Sequence, residues 1–385
     1  MAEHPTSIKL HTCGAGCAPS CSSDAKADAA GKVRSARAVD FHCHVFVPQI
    51  EQLIADQPGR IAEKDQALNS QGPRAAEHNA RVMVPTAMPK LIDPEVRLRD
   101  MDAMGVALQV LSPSPSQYYY WADPGLSQQL VEIQNAAISK LVNRYPERMV
   151  GLGTVSLQHP ELAVAQLESA VAVGLKGVEI STNVNGRNLS DPALEPFWRK
   201  AESLGCVIFI HPFGADFGPR LVDHYLSNVI GQPLETAIAL SHLIFDCVLD
   251  RYPRLKLLAA HGGGYLPFYA GRSDHAWAVR PDVGRCAGTP SDYLRRIWFD
   301  TLVFDPAAVR FLIERVGIDR VVIGTDYPFD MGDCEIHPLL QAIPELTEEE
   351  RRQVMYLNAL QLLGLPEALL SEGEGAANPE YPMEK

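Results

Sequence analysis

The sequence contains no uninterrupted apolar run of about 18 residues, the length that a membrane-spanning helix needs. Its first residues, MAEHPTSIKLHTCGAGC, lack the apolar stretch of a secretory signal. Cysteine is sparse, with 8 residues in a chain of 385, which excludes a scaffold built from disulfides. These three absences predict a protein without membrane contact in a reducing cytoplasm.

Positive charge is also scarce. The chain has 34 Lys and Arg against 47 Asp and Glu, a formal net charge of −13. Because nucleic-acid binding requires basic side chains that neutralise phosphates, we expect no nucleic-acid partner. A small anionic ligand is still compatible with this charge, since a few converging arginines can bind it locally. The hydrophobic fraction of 46% is that of a globular protein with a large core.

Both ends of the sequence lack the periodicity of folded segments. Residues 1–36, rich in Ala, Ser, Gly and Lys, are interpreted as a flexible arm, and residues 366–385 as a C-terminal tail. The spacing of Cys13, Cys17 and Cys21 matches neither a zinc ribbon nor a common iron–sulfur motif, so we expect unstructured thiols. Residues 37–365 form the predicted domain.

Eight short apolar runs alternate with amphipathic stretches inside this domain. They are rich in Val, Ile, Leu and Phe without strict alternation, as in parallel strands buried on both faces. The runs are ARAVDFH, VALQVLS, RMVGLGTV, LKGVEIS, CVIFIHP, LKLLAAHGG, RIWFDT and RVVIGTDYP. Strand–helix alternation predicts a parallel α/β protein, and eight units favour a closed (β/α)8 TIM barrel over an open, doubly wound sheet.

Helix-boundary signals mark the stretches between the runs. DPEVRLRDMDAMG has acidic residues in its first turn and a glycine just past its end. In DPALEPFWRKAESLG, Asp191 is a candidate N-cap and Pro192 the first helical residue. Residues 47–93, after the first strand, show no convincing helix. We interpret them as an insertion over the active-site end, acting as a lid or substrate-recognition loop.

Polar residues occur at the ends of several predicted strands, where barrel enzymes place catalytic groups. His42 and His44 end the first strand two residues apart, so both imidazoles project from one face. His211 ends the fifth strand, His261 the sixth and Asp326 the eighth. A single such residue is more often a core histidine or a turn cap. Independent core residues have no reason to gather at one end of successive strands, so the set predicts a functional site.

Three imidazoles and one carboxylate form a ligand set that suits one divalent metal ion. Zinc is favoured, with manganese, iron or cobalt as alternatives. The predicted ligands are His42, His44, His211 and Asp326. A catalytic zinc ion lowers the pKa of a bound water to about 7. We expect His261 to act as general acid or base, because an imidazole titrates near neutral pH, and Asp326 to share in catalysis.

Several motifs together resemble the amidohydrolase-related (amidohydrolase 2) decarboxylases, including those that act on muconate semialdehydes. The motifs are VDFHCH, DPEVRLRDMDAMGV, LKGVEI, IHPF, AHGGGYLPFYAGR and VVIGTDYPF, and the likeness runs from about Ala38 to Leu365. The resemblance implies a zinc enzyme that releases CO2 from a small carboxylate substrate without oxygen or an organic cofactor. It also implies a homodimer in which Arg272 reaches the neighbouring site to hold a substrate carboxylate.

The resemblance departs at two substrate-binding positions. Phe213 follows the His-Pro pair where the family usually has tryptophan, and it is the predicted pocket residue there. The second family arginine, in the insertion, has Arg81 or Arg74 as its candidates. An aromatic run, Tyr118 to Trp121, follows the second strand and either stacks on a planar substrate or packs against the insertion.

Three functions fit this pattern. The first is nonoxidative decarboxylation of a carboxylated aromatic or ring-cleavage substrate, through either hydroxide addition beside the carboxylate or protonation of the carbon that bears it. The second is hydrolysis or hydration of a lactone, amide or unsaturated keto acid. The third is a binding protein without catalysis. The Asp-Tyr-Pro-Phe motif favours the first, and the complete set of five site residues argues against the third.

Overall fold

The computed structural model of the protein describes residues 38–214, 217–283 and 286–370. The predicted arm, with Cys13, Cys17 and Cys21, and most of the predicted tail lie outside these residues. The main strands are β1 (Ala38–Val45), β2 (Val106–Pro113), β3 (Met149–Gly151), β4 (Gly177–Ile180), β5 (Val207–Ile210), β6 (Lys256–Ala259), β7 (Ile297–Asp300) and β8 (Val321–Val322). Each overlaps one predicted run, which confirms the eight strand predictions. A short antiparallel pair, Asn183–Val184 and Arg187–Asn188, follows β4.

The eight strands are parallel and follow one another in barrel order. Three form one hydrogen-bonded sheet, β1-β2-β3, and five form another, β4-β5-β6-β7-β8. Single parallel bridges join the two sheets at both edges, Gly153 to Val178 and Cys43 to Tyr327. The order is that of the predicted (β/α)8 barrel, so the carboxyl ends of all eight strands face the same side.

Helices connect the strands and surround them. The α-helices are α1 (Pro48–Ile54), α2 (Pro58–His78), α3 (Val84–Ile92), α4 (Pro94–Met104), α5 (Pro124–Arg144), α6 (Pro160–Ala172), α7 (Glu195–Leu204), α8 (Gln232–Phe245), α9 (Val248–Arg251), α10 (Leu266–Val279), α11 (Pro290–Leu294), α12 (Pro306–Val316), α13 (Ile336–Ala342), α14 (Glu348–Arg352) and α15 (Asn358–Leu363). Among the described residues, none of the helices has both the length and the apolar character that crossing a bilayer requires.

The two predicted helix starts are confirmed. The Asp93 carboxylate accepts a hydrogen bond from the Glu95 amide at 2.9 Å, and α4 ends at Gly105 with φ of 71°. The Asp191 carboxylate likewise accepts from the Ala193 amide at 2.8 Å, where a 3-10 turn leads into α7. Capping side chains satisfy amides that the first helical turn leaves unpaired, which is why these two boundaries could be read from the sequence.

Residues 47–93 differ from the prediction because they are largely helical, forming α1, α2 and α3. The sequence pattern did not predict these helices because α2 is mostly polar and exposed. It is also interrupted at Gly72, whose φ is 78°. The segment is anchored on the carboxyl end of the barrel, where Ile50 and Ile54 pack with Tyr119. It therefore covers the barrel end with helices rather than with an irregular loop.

The core has two layers. The outer layer lies between the strands and the surrounding helices, and the inner layer fills the barrel. Val39 and Phe41 of β1 point into the inner layer and pack there with Leu360 of α15, which closes the amino end of the barrel. Leu369 and Leu370, at the start of the predicted tail, also pack against this layer. The inner layer thus closes the amino end of the barrel, and the polar residues of the predicted site lie at the carboxyl end.

Candidate metal centre

The structure brings four of the predicted site residues together at the carboxyl end of the barrel. One ligand atom from each of His42, His44, His211 and Asp326 lies within 4.8 Å of the others. The Asp326 Oδ1 atom is 3.5 Å from His42 Nε2 and 3.2 Å from His44 Nε2. The three imidazoles are buried, and the Asp326 side chain is 13% exposed. Distances of this size leave room for one ion among the four groups.

The imidazole nitrogens that face this cluster have no hydrogen-bond partner among the described residues. They are Nε2 of His42, Nε2 of His44 and both ring nitrogens of His211. Buried polar atoms are nearly always paired, because an orphaned one loses its hydration without compensation. Three unpartnered imidazoles that converge beside a carboxylate fit a divalent ion as their common partner.

The opposite nitrogens of the β1 histidines are held in place by other groups. His42 Nδ1 lies 2.7 Å from Asp300 Oδ2, and His44 Nδ1 lies 3.1 Å from the Pro113 carbonyl oxygen. These contacts turn both Nε2 atoms toward the cluster, as second-layer partners of metal-binding histidines do. Asp300 was not among the predicted site residues, although its position at the end of the RIWFDT strand was a usable signal.

Burial and charge hold two members of the cluster, His211 and Asp326, in the protonation state that binds a cation. Burial lowers the pKa of His211 well below its ordinary value, and the neighbouring His42 and His44 lower it further. Burial raises the pKa of Asp326, but the neighbouring imidazoles of His261, His44 and His42 outweigh it and hold that pKa well below the usual range. A neutral imidazole beside an ionised carboxylate is the state that a divalent ion requires.

Glu179 is a second carboxylate close to the cluster that the sequence analysis did not assign. It is fully buried at the end of β4, and the Tyr118 hydroxyl donates to its Oε1 at 2.7 Å. Its Oε2 lies 3.6 Å from His44 Nδ1 and has no hydrogen-bond partner among the described residues. Burial raises the pKa of Glu179 to about 7. His44 thus lies between two carboxyl groups, with Glu179 beside its Nδ1 atom and Asp326 beside its Nε2 atom.

A chain of buried polar side chains supports β1 behind the cluster. Arg97 donates from Nη1 to Gln109 Oε1 at 2.9 Å, and Gln109 donates from Nε2 to Asp40 Oδ2 at 2.9 Å. Asp40 also accepts from the Thr325 hydroxyl at 2.7 Å. Arg97 donates in addition to the carbonyl of His44. The chain ties β1 to β2 and β8, so it positions the strand ends that carry the metal-site residues.

His261 and Asp326 have left-handed backbones, with φ of 55° and 54°. Residues other than glycine adopt this conformation rarely, and strain of this kind gathers at functional sites. Asp300 accepts from the His261 amide at 2.9 Å and from the Gly262 amide at 2.8 Å, which holds the turn. His261 Nε2 lies 3.9 Å from Asp326 Oδ2. The predicted acid/base residue therefore stands next to the cluster without belonging to it.

A cavity of about 340 Å³ opens beside His261 and Asp326. Its volume lies within the usual range for small-molecule sites. The remaining lining residues are Asn228, Val229, Gln232, Pro233, Gly264, Tyr265, Phe268, Leu302, Val303, Phe304, Ala308 and Met331. Gly264 allows the close packing of this wall, because a Cβ atom there would lie 2.0 Å from the Pro233 carbonyl oxygen. The cavity is the place where a substrate can meet both predicted catalytic residues.

The three predicted substrate-binding residues lie apart from one another. Phe213 is half-buried, 6.2 Å from the Tyr118 ring, in a second cavity of about 360 Å³ under α2. Arg272 is exposed on α10. Arg81 is 77% exposed and pairs with Glu77 at 2.9 Å. Neither arginine lines the cavity beside His261, and the alternative Arg74 is also exposed.

The aromatic run after β2 divides between two environments. The Tyr119 hydroxyl donates to Glu51 of α1 at 2.6 Å, and the Trp121 ring lies against Gly59 of α2. Tyr118 and Tyr120 stack on each other with ring centroids 5.6 Å apart, and the Tyr120 hydroxyl accepts from the Ser181 amide. The first pair packs against the insertion, and the second pair faces β4.

Together, the fold and the site define a metal-dependent barrel enzyme. A family model described as Amidohydrolase matches residues 39–365. The chain therefore belongs to the amidohydrolase family, and the predicted barrel fold is confirmed by this match.

Named relatives place the chain more narrowly. The 2-amino-3-carboxymuconate-6-semialdehyde decarboxylase of Dictyostelium discoideum is 38% identical over 278 residues, which cover 71% of this chain and 77% of the relative. The enzyme of the same name in Caenorhabditis elegans is 29% identical, covering 73% and 83%. The crystal structure of 5-carboxyvanillate decarboxylase from Sphingomonas paucimobilis superimposes with a TM-score of 0.74 at 25% identity, covering 86% of this chain and all of the other. The predicted resemblance to amidohydrolase-related decarboxylases is confirmed.

Proposed function

We propose that this protein catalyses the metal-dependent, nonoxidative decarboxylation of a small carboxylated aromatic acid or ring-cleavage product. It is a carbon–carbon lyase of the amidohydrolase superfamily. The observation that supports the assignment best is the buried cluster of three unpartnered imidazoles and one carboxylate, which opens beside His261 into a ligand-sized cavity.

We assign His42, His44, His211 and Asp326 as the ligands of one divalent ion. Zinc suits a set of three imidazoles and a carboxylate best, and manganese, iron and cobalt are the alternatives. The bound ion supplies Lewis acidity and lowers the pKa of a coordinated water. Asp300 fixes the ring of His42 from behind, so that its Nε2 is oriented before the ion arrives.

We assign His261 as the group that moves the proton. When the bond between the substrate carbon and its carboxylate breaks, the electron pair stays on carbon, and a proton must replace the departing CO2. His261 lines the cavity, and Asp326 Oδ2 lies 3.9 Å from its Nε2. The left-handed turn held by Asp300 sets the direction of the imidazole. An imidazole in this position can accept a proton and deliver it to the substrate carbon.

We further propose a homodimer in which Arg272 binds the substrate carboxylate of the neighbouring site. Arg272 is exposed one helical turn after Phe268, whose ring lines the cavity, so both side chains are on one side of α10. Exposed apolar residues, among them Val229, Tyr269 and Phe304, surround this region and offer a surface for a second copy. A cytoplasmic location stays a prediction.

The test is an assay on purified protein whose metal content has been measured. The substrates are 2-amino-3-carboxymuconate 6-semialdehyde, 5-carboxyvanillate and hydroxybenzoates, with CO2 release as the readout. We expect about one ion per chain, turnover of at least one substrate, and a loss of about 100-fold or more in the His261→Ala variant. His275 of α10 is exposed and lines neither cavity, so His275→Ala serves as control and should retain activity.

A metal-loaded protein that releases no CO2 from any of these substrates would refute the decarboxylase assignment. Lactones and unsaturated keto acids would then be the substrates to test. Full activity in His261→Ala would instead refute the role of that residue alone. Light scattering of the wild type and Arg272→Ala tests the dimer separately from the active site.

A further inference from the structure

Tyr225 lies at the carboxyl end of the barrel, in the connection between β5 and α8. It ends a short 3-10 turn, Asp223–Tyr225, and its side chain lines the second cavity, under α2. Asn228 and Gln232 line both this cavity and the one beside His261, so the two cavities adjoin each other. Among the described residues, the Tyr225 hydroxyl has no hydrogen-bond partner. A phenol with a free donor therefore borders the space around the proposed metal centre.

Two carboxylates lie near the Tyr225 phenol. Burial raises the pKa of Tyr225 to about 12, and the negative charges of Asp330 and Asp326 add to this effect. Asp326 is one of the four residues that could hold the ion, and Asp330 follows it by four positions. The phenol is therefore protonated at neutral pH. Its hydroxyl can donate a hydrogen bond, and it lies close enough to the metal-site carboxylate to be affected by its charge.

The turn that carries Tyr225 has a strained backbone. His224 and Tyr225 are both in the left-handed region, with φ of 58° and 59°. Each such residue costs about 1–3 kcal/mol and persists only where the surrounding structure fixes it. Neither residue is a glycine, which would relieve the strain, so contacts from elsewhere must hold this turn.

The helical insertion supplies those contacts. Gly72, where α2 is interrupted, is buried, and a Cβ atom there would lie 2.8 Å from the Val222 carbonyl oxygen. Val222 immediately precedes the turn that carries Tyr225. Farther along α2, His78 Nε2 lies 2.9 Å from Asp330 Oδ2. The insertion thus packs against the turn that carries the phenol and pairs with one of the two carboxylates near it.

We propose that Tyr225 is a further substrate-binding residue, whose hydroxyl donates a hydrogen bond to an oxygen of the carboxylate ligand at the metal ion. α2 positions the phenol through the contact between Gly72 and Val222. This inference rests on the proposed function, because that function places a carboxylate beside the ion. An oxygen of such a ligand is the acceptor that the hydroxyl lacks in the protein.

The experiment measures binding, so it does not depend on turnover. Calorimetry of the metal-loaded protein compares benzoate with pyridine in the wild type and in Tyr225→Phe. Benzoate brings carboxylate oxygens to the ion, whereas pyridine binds an ion through its nitrogen and has no other acceptor. We expect Tyr225→Phe to weaken benzoate binding about tenfold or more, the size of one hydrogen bond to a charged group, and to leave pyridine binding unchanged.

Tyr145→Phe is the matched control for the loss of a phenol hydroxyl. The Tyr145 hydroxyl donates to Glu95 at 2.7 Å, and the residue lines neither cavity. Its replacement should leave the affinities for both probes unchanged.

A pair of glycine variants tests the positioning by α2. Gly72→Ala should weaken benzoate binding by about fivefold, and Tyr225→Phe should then cost less than in the wild type, because residues that act through one contact are not additive. Gly174 is the control for backbone strain, since its φ is 93° and no atom lies within 4 Å of an added Cβ. Gly174→Ala should leave benzoate binding unchanged.

Equal weakening of benzoate and pyridine by Tyr225→Phe would overturn the proposal, because the loss would then lie in the metal site and not in a missing donor. Unchanged benzoate binding in Tyr225→Phe would overturn it too, as would a wild type that binds pyridine but not benzoate. Additive effects of Gly72→Ala and Tyr225→Phe would refute the positioning by α2. Failure of the decarboxylase assay would leave these comparisons intact, so the two proposals can fail separately.

Discussion

Replacing Gln109 with leucine should destabilise the barrel although the substitution nearly preserves volume. Gln109 is fully buried in β2, where its amide accepts from Arg97 and donates to Asp40, both at 2.9 Å. Leucine leaves one donor of a buried guanidinium and one acceptor site of a buried carboxylate without partners. Each orphaned group costs about 1–3 kcal/mol, and more when it is charged. The expected loss in the free energy of unfolding is therefore about 3–5 kcal/mol.

Equilibrium urea unfolding of the metal-free protein measures this loss, with Gln129→Leu as control. Gln129 is exposed on α5, so the same change there should alter the free energy by less than about 0.5 kcal/mol. A difference below about 1 kcal/mol between the two variants would refute the argument that this amide satisfies two buried charges.

Gln109→Glu tests the same hydrogen-bond network through the pH dependence of stability. A carboxylate keeps the bond to Arg97 but places an oxygen where the Nε2 atom now lies, 2.9 Å from Asp40 Oδ2. Two carboxylates this close share a proton, and burial already raises the pKa of Asp40 to about 6. The folded variant then binds more protons than the unfolded chain. Its stability relative to wild type should be highest below about pH 4 and fall as the pH rises past 6.

Three further predictions concern the site. Glu179→Gln should keep the hydrogen bond from Tyr118 but remove a charge near His44, so apparent zinc affinity in a competition titration should fall by about tenfold; unchanged affinity would exclude this role. Chelation of the metal should lower the midpoint of thermal unfolding, and readded ion should restore it in the wild type but not in His211→Ala, because ligand binding stabilises only a folded site. Gly264→Ala should destabilise by more than about 2 kcal/mol, because φ there is +64° and the added Cβ would lie 2.0 Å from a carbonyl oxygen. Gly271 of α10 is the control, because no atom lies within 4 Å of a Cβ added there. In the same urea unfolding experiment, Gly271→Ala should be neutral or stabilising by up to about 1 kcal/mol. Equal effects at the two glycines would contradict the packing argument.

The barrel strands could be predicted because each is buried on both faces and therefore reads as a continuous apolar run. The site cluster followed from the same pattern, since His211 and Asp326 come directly after such runs. The helical insertion could not be read in this way. α2 buries few apolar side chains and is interrupted at Gly72. The spacing of apolar residues that marks a packed helix is therefore weak in its sequence.

The supporting polar contacts were also beyond prediction from the sequence. His42 and Asp300 are 258 residues apart in the chain, and their contact exists only because β1 and β7 end at the same side of the barrel. Arg97 was visible in the DPEVRLRDMD motif, yet amphipathic helices usually carry arginine on their exposed face. Only the fold shows that this guanidinium is buried, 4.9 Å from the centre of the Tyr327 ring.

The closure of the barrel by its last helix has a consequence for synthesis on the ribosome. Leu360 of α15 completes the inner layer around Val39 and Phe41 of β1, and the His44 amide on the same strand donates to the Tyr327 carbonyl of the last barrel turn at 2.9 Å. β1 therefore leaves the exit tunnel long before β8, its neighbour on one side, and α15, which packs beneath it, have been synthesised. His42 and His44 on this strand are therefore synthesised long before Asp326, the carboxylate of the same cluster. The four residues of the site are consequently all present only after Asp326 has been synthesised, and Val39 and Phe41 lack their packing partner Leu360 until α15 follows.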